Sequence, residues 1–182
     1  MPRSHATRAI LECEKCVVRE WAQSDKDALV RFANNRNVWR NLTHKFPHPY
    51  TAADADWWLT FVAQMPEPTH WAVEVDGLCV GGIGVTRGDG TFVKSGLFGY
   101  WLAEPYWGRG IMSTAVKPVS RHVMSHFGLA RLEAPVFAWN PASMRVLEKS
   151  GFVREGVLRA SVFKDGRLID SVLYALVDET AA

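Results

Sequence analysis

The hydrophobic period of the chain changes at Ile111, and that change restricts the folds open to it. Upstream, Trp71, Val73 and Val75 alternate with Ala72 and Glu74, Asp76-Gly77 marks a tight turn, and Leu78 to Thr86 reads as the partner strand of a hairpin. A loop, Gly88-Asp89-Gly90, precedes a further strand, Gly96 to Leu102. From there Ile111, Ala115, Val119, Val123 and Phe127 recur every fourth residue, the spacing of one helix face. Pro118 lies inside that stretch and is expected to kink it, at a cost of ~3 kcal/mol unless packing compensates. Leu132, Ala134 and Val136 mark the next strand. Strand, helix and strand in succession favour a locally parallel pair, whereas the hairpin requires antiparallel neighbours. A chain containing both predicts an α/β fold: a mixed sheet with helices on both faces.

The flanking segments extend this pattern. Residues 1–10 are expected to form a weakly ordered tail, with one domain over residues 11–179, opening on a strand through Cys16-Val17-Val18-Arg19. Ser24 or Asp25 can cap a helix to about Asn34 that buries Ala28, Leu29 and Phe32. A short helix, Val38 to Leu42, leads into the His44 to Pro49 loop, and Thr51-Ala-Ala-Asp54 has the form of a capping box. Pro141 starts a later helix that Gly151 ends, and a last hairpin turns at Asp165-Gly166.

Composition removes several classes. Twenty-one Lys and Arg against nineteen Asp and Glu leave +2, too small and too scattered for a nucleic-acid footprint. The longest apolar run, Leu78 to Val85, holds three glycines and falls far short of the ~18 residues a membrane span needs. Arg3 and Arg8 are followed by no apolar h-region, so no secretory signal is expected. Three cysteines make no disulfide framework; Cys13 and Cys16 have C-x-x-C spacing without a second Cys/His pair, and reduced thiols in the cytoplasm are expected.

Two segments carry chemistry. In Tyr100 to Thr114 an apolar strand ends at Leu102, Pro105 stops further pairing, and Gly108 and Gly110 lead into the long helix. Such a junction aims free N–H groups and the positive helix end at one point, an anion site suited to a pyrophosphate, to which Arg109, Ser113 and Thr114 can add donors. It is not a P-loop, since no Gly-Lys-Ser/Thr follows, and it lacks the third glycine of a dinucleotide fingerprint. A flexible turn feeding a helix is the alternative. In Asn140 to Phe152, Asn140 can cap a helix with Pro141 at its first position and Ser143 in its first turn; a well-capped helix with no further role is the alternative there.

Together these segments resemble the GNAT superfamily of acyl-CoA-dependent N-acyltransferases, and within it the branch of the RimJ and RimL ribosomal-protein N-terminal acetyltransferases. The resemblance rests on Gly99-Tyr100-Trp101, Trp107-Gly-Arg-Gly-Ile111, Asn140-Pro-Ala-Ser143 and Glu148-Lys-Ser-Gly-Phe152, and runs from Val18-Arg19-Glu20 to Tyr174-Ala175. It implies a GNAT fold: a mixed, mostly antiparallel sheet in which two parallel neighbours splay into a V. It implies acetyl-CoA as cofactor, with coenzyme A as product. The pantetheine arm would lie along the main chain of Trp101, Leu102 and Ala103, and the pyrophosphate on amides between Trp107 and Ser113, including Gly108, Arg109, Gly110, Ile111 and Met112. Asn140 and Ser143 would contact the pantetheine and the thiol end. Trp107 stands where many members carry Gln or Arg, and Met112 replaces the usual Gly or Ala.

The implied activity is transfer of an acetyl group to a primary amine, either a protein or peptide N-terminal α-amine or a small amine, by direct attack in a ternary complex. Leu102 supplies the candidate N–H for the oxygen that becomes negative, and Ser143 the candidate acid toward the departing thiolate. Many relatives carry a glutamate where this chain has Leu97, and others one where it has Val162. Glu104, Asp170, Tyr100 or a water route therefore remain as bases, Glu104 completing the candidate catalytic set. Of the eight tryptophans, Trp58 is assigned to the core, while Trp39, Trp57, Trp71, Trp101, Trp107 and Trp139 could line the acceptor cleft. No metal, nucleic-acid or membrane partner is expected: His122 and His126 have i, i+4 spacing but no accompanying glutamate. A monomer or homodimer is expected. The alternatives are a catalytically silent acyl-CoA sensor and an aminoglycoside- or polyamine-type acetyltransferase.

Overall fold

The computed structural model describes residues 9–180. Strands β1 (Ala9–Cys13) and β2 (Cys16–Arg19) form a hairpin, followed by α1 (Lys26–Ala33), α2 (Arg36–Trp39) and α3 (Ala52–Ala63). Then come β3 (His70–Val75), β4 (Leu78–Arg87), β5 (Ser95–Leu102), α4 (Ile111–Phe127), β6 (Arg131–Phe137), α5 (Pro141–Lys149), β7 (Val153–Lys164) and β8 (Arg167–Val177). All eight strands join one sheet in the order β1-β2-β3-β4-β5-β6-β8-β7, and only β5 and β6 run parallel. This is the mixed, mostly antiparallel α/β sheet of the GNAT fold.

Two corrections concern the first part of the chain. Ala9 and Ile10, expected in a tail, belong to β1, where Ala9 pairs with Arg19; residues 1–8 of that tail lie outside the described residues. Asp25, one of the two candidate caps, is the N-cap residue of α1, but its carboxylate makes no bond to that helix and meets the buried Arg19 guanidinium at 2.7 and 2.8 Å, with Glu74 contacting the same group. Breaking such a buried pair by removing one partner costs about 3–5 kcal/mol. The Thr51 capping box forms, with Thr51 N–H donating to Asp54 at 2.8 Å. Pro118 does not interrupt α4, whose Ala115, Val116, Val119 and Val123 are fully buried.

The two faces of β3 show how the layers sit. Trp71 meets His122 of α4, ring centroids 6.2 Å apart, while the neighbouring His70 meets Trp58 of α3 at 5.5 Å. Successive strand side chains point to opposite faces, so α4 covers one side and α1 with α3 the other. The main core lies under α4; a second cluster of Leu29, Ala33, Tyr50, Ala55 and Leu59 lies under α3.

Candidate active site

The parallel pair β5–β6 is zipped for three register positions, Ser95–Arg131 to Leu97–Glu133, and then opens. Each strand keeps its outer partner: β5 pairs with β4 as far as Leu102, and β6 pairs with β8 as far as Phe137. The sequence contains a reason for the opening. Ala138 N–H donates to Asp170 O and Asp178 N–H to Ala130 O, so even-numbered residues of β6 address β8 and odd-numbered ones address β5. Pro135 is odd-numbered. It lacks the N–H that the next step of the β5–β6 ladder requires.

The same parity applied to β5 sorts its polar groups. Ala103 N–H donates to Val80 O at 2.7 Å and Gly88 N–H to Ser95 O at 2.8 Å, so odd residues of β5 serve β4 and the N–H groups of Tyr100 and Leu102 face the opening. Of the three residues expected to offer main chain to a pantetheine arm, Leu102 alone turns its N–H toward the opening. Trp101 is paired to Gly82, and Ala103, fully buried, spends its carbonyl on Tyr106 N–H. The Leu102 carbonyl accepts the Trp107 indole N–H at 2.7 Å, which ties the loop to the end of β5.

Beyond Trp107 the chain enters α4 through Gly108 at φ 73° and Gly110 at φ 77°, left-handed conformations that side-chain-bearing residues rarely adopt. Gly110 is the N-cap and no side chain caps the helix, so its first-turn amides stay available. Thr114, a candidate donor, turns its hydroxyl back to Ile111 O at 2.8 Å. Lys15 of the β1–β2 turn, which sequence reasoning missed, donates to Arg109 O at 3.1 Å and brings a cation to this loop.

A cleft of about 1710 Å³ passes through the opening. Trp101, Leu102, Trp107, Gly108, Gly110, Ile111, Met112, Ser113, Asn140 and Ser143 line it; Ala103, Glu104 and Arg109 do not. Glu104, a candidate base, accepts from the side-chain amides of Asn35 at 2.7 Å and Asn37 at 2.9 Å, fastening the segment after β5 to the start of α2. Asp170 is likewise engaged, accepting Ala160 N–H at 2.8 Å where β7 bulges. Arg109 lies over the Tyr106 ring, 5.0 Å from its centroid.

On the α5 side, Asn140 Oδ1 accepts Ser143 N–H at 3.2 Å and so holds the start of the helix. The Ser143 hydroxyl lies 2.8 Å from the Tyr100 hydroxyl, and Tyr100 also donates to Ser143 O at 3.1 Å. Burial pushes the Tyr100 phenol well above its ordinary value, so it remains protonated. Its one proton serves one contact at a time: given to Ser143 O it leaves the Tyr100 oxygen to accept the serine's proton, and given to Ser143 Oγ it leaves that proton free to turn into the cleft.

The opposite side of the cleft is aromatic. Trp21, Phe46, Tyr50, Trp57, Trp58 and Trp101 line it, with Phe46 against Trp101 at 5.6 Å and Trp21 against Trp58 at 5.9 Å. Trp58, assigned to the core, thus faces the cleft as well, and Trp21 and His70 were missed as lining residues. Trp39 and Trp139 lie elsewhere, the first under Lys164 and the second under Arg40.

Comparison with known proteins gives the family and the fold. The acetyltransferase (GNAT) domain family matches residues 15–153. The chain is 32% identical over 133 residues to the prophage-derived uncharacterized N-acetyltransferase YokL of Bacillus subtilis, covering 72% of this chain and 73% of that protein. It is 33% identical over 84 residues to the ribosomal-protein-serine acetyltransferase of Escherichia coli, but spans only 47% of that protein's length and 46% of its own. Among solved structures, Mycobacterium smegmatis RimJ superposes with a TM-score of 0.80 at 24% identity over 96% of this chain and 88% of that one. A RimL acetyltransferase superposes with a TM-score of 0.80 at 21% identity over 98% and 99%. With a parallel pair that opens beyond Leu97 and Glu133 and a glycine turn opening an uncapped helix, and with this family match over most of its length, the chain belongs to the GNAT family of N-acetyltransferases.

Proposed function

We propose that this chain transfers the acetyl group of acetyl-CoA to a primary amine by direct attack in a ternary complex. The observation that carries the proposal is the β5–β6 opening, which exposes the Tyr100 and Leu102 N–H groups on one edge and leads to the uncapped start of α4. These groups fit the cofactor: an extended amide-bearing arm can pair with a strand edge, and a diphosphate with helix-terminal amides. Leu102, Gly108, Gly110, Ile111, Met112 and Ser113 would hold it, with Asn140 and Ser143 at the thiol end and Lys15 close enough to the loop to add charge. Acetyl-CoA supplies the acetyl group in activated, thioester form.

The chain's own groups supply the rest. The Leu102 N–H, fixed by the strand, is a preorganised donor for an oxygen that gains negative charge. Ser143, backed by Tyr100, is the donor to a departing thiolate. The acceptor must attack as a free amine, although an α-amine has a pKa of ~7.7–8.0 and a lysine-like amine ~10.4. Its side of the cleft is built from rings, which favours an amine carried on a flat or apolar body, such as a peptide N-terminus or a small amine. A relative named as a ribosomal-protein-serine acetyltransferase supports the peptide choice. We place the reaction in the cytoplasm, in keeping with three free cysteines, and carried out by a monomer or homodimer. Among the described residues no helix is long and apolar enough to cross a membrane.

The test is thermal stabilisation by acetyl-CoA combined with free-thiol release over a panel of peptides, polyamines and aminoglycosides. A ligand at 100 times its Kd that binds only the native state stabilises by about 2.7 kcal/mol. No shift with acetyl-CoA would defeat the proposal. A shift without turnover on any amine would favour a silent acyl-CoA sensor, the reading that the engaged Glu104 and Asp170 and the apolar Leu97 support.

A further inference from the structure

We infer that His70 is the general base that takes the proton from the acceptor amine, a role that rests on the acetyltransferase reading above. His70 begins β3 and lines the cleft on the aromatic side. In register it pairs with Gly84 of β4, which pairs with Gly99 of β5. Paired residues share a face of the sheet, so the histidine and two glycines form one row leading to the splayed strand, a span of about 10 Å across two inter-strand spacings. The glycines keep that row open. A Cβ at Gly84 would lie 2.7 Å from His70 Cδ2, so the ring rests where a side chain would stand and leans toward β5. A Cβ at Gly99 would meet nothing within 4 Å, so the floor beyond the ring is bare.

The ring is held in one orientation. Its Nδ1 lies 2.9 Å from Thr69 Oγ1, and that hydroxyl donates to Met65 Sδ at 3.6 Å. With the threonine proton on sulfur, Nδ1 carries hydrogen and donates to Oγ1. Both hydrogen bonds then form, and Nε2 is left with a free lone pair. The opposite tautomer makes only one of the two bonds and leaves an Nε2–H without a partner among the described residues.

Burial is the one cause acting on the ring's basicity, and it lowers the pKa below the ordinary 6.5. Around it, α3 contributes Trp58, β4 contributes Gly84, and the chain leading into β3 contributes Met65 and Thr69. The nearby charges have other partners: Asp54 accepts from Thr51 at 2.6 and 2.8 Å, and Glu67 meets His126 at 3.0 Å and Arg87 at 3.7 Å. His70 is therefore neutral at pH 7 and able to accept a proton. In the step, the amine nitrogen bonds to the acetyl carbon as the carbon–sulfur bond breaks. The amine proton passes to Nε2, directly or through one water; Ser143 protonates the sulfur and regains a proton from solvent, and solvent later removes the proton from Nε2.

Two experiments test this on the full chain. In protein labelled with 15N at histidine and saturated with coenzyme A, His70 is expected as the Nδ1–H tautomer at pH 7, with a titration midpoint below 6.5; an Nε2–H tautomer would overturn the inference. In thiol release from acetyl-CoA with a serine-initiated hexapeptide and with tyramine, His70→Ala is expected to lower kcat/KM about 100-fold, and added imidazole to restore part of it. His70→Gln, which preserves most of the volume, is expected to lose the acid limb of the pH profile, a limb held in common by both amines. Both variants are expected to keep wild-type stabilisation by coenzyme A. Turnover within threefold of wild type, or an unchanged acid limb, would remove His70 from the reaction while leaving the acetyltransferase reading intact. Failure of coenzyme A to stabilise the wild-type protein would instead remove that reading, and this one with it.

Discussion

The two sides of the cleft are made of different material. The β5–α4 side works through main chain: the Leu102 N–H on a strand edge, left-handed glycines at 108 and 110, and a helix start with no side-chain cap. The α3–β3 side works through side chains brought from distant parts of the chain: Trp21, Phe46, Trp58, His70 and Trp101. Main-chain donors are the same in every residue but proline and recognise a fixed ligand by geometry alone. Side chains can be exchanged one at a time without disturbing the ladder. A protein that keeps one ligand and varies another is well served by this division, because substitutions on the ring-lined side need not alter the amide-lined side.

Substitutions on the two sides should therefore fail in different ways. The largest effect is expected from Gly110→Val, which forces a β-branched residue to φ 77° and crowds the Lys15 ammonium. Loss of one or two charge-assisted hydrogen bonds, each worth about 1.5–3 kcal/mol, should weaken acetyl-CoA binding about 100-fold by calorimetry. Wild-type affinity would show that the amide-lined side does not hold the cofactor. Ser143→Ala comes next: turnover is expected to fall about tenfold or more while acetyl-CoA binding is retained, as the role proposed for it at the leaving group requires. Unchanged turnover would reduce Ser143 to a contact.

A smaller and more diagnostic change is Pro135→Ala. Restoring an N–H directed at β5 lets the ladder zip one step further, which should stabilise the fold by about 0.5–1.5 kcal/mol in urea titrations and weaken acetyl-CoA binding several-fold. Improved binding would contradict the role assigned to the missing donor. The smallest effect belongs to the ring-lined side and to pH. His70 is depressed by burial, and His122 by burial and by His126. Below the unfolded value of about 6.5, the unfolded chain binds protons that the folded chain refuses, so stability falls as pH drops from 6.5 through the folded values. His70→Gln should flatten part of that decline in thermal melts taken across the window, and an unaltered slope would place the effect on His122 alone.

What could be read in advance follows the same division. The strand, glycine turn and helix around Gly108 and Gly110, the Thr51 capping box and the turns at Asp76-Gly77 and Asp165-Gly166 depend on the backbone preferences of a few adjacent residues. Their positions agree with expectation to within a residue or two. Pro135 drew no notice in the sequence. Its missing donor is a property of the residue itself, and only the parity that turns it toward β5 needed the sheet. By contrast, nothing local marks Glu104 as the partner of Asn35 and Asn37, or Asp170 as the brace of a bulge, because those bonds join residues that the sheet order brings together.

The sequence by itself determined where this chain bends, caps and withholds a hydrogen bond, since φ preference, the lack of an N–H and hydrophobic period all act within a few residues. The tertiary structure decided which side chains meet across the opening. His70 reaches toward β5 only because β4 and β5 pair so that Gly84 and Gly99 fall beside it. A one-residue slip of β3 on β4 would turn the ring to the other face, and one of β5 on β4 would take Gly99 out of the row. Register is settled by burial summed over the whole sheet, and no short stretch of sequence contains that sum.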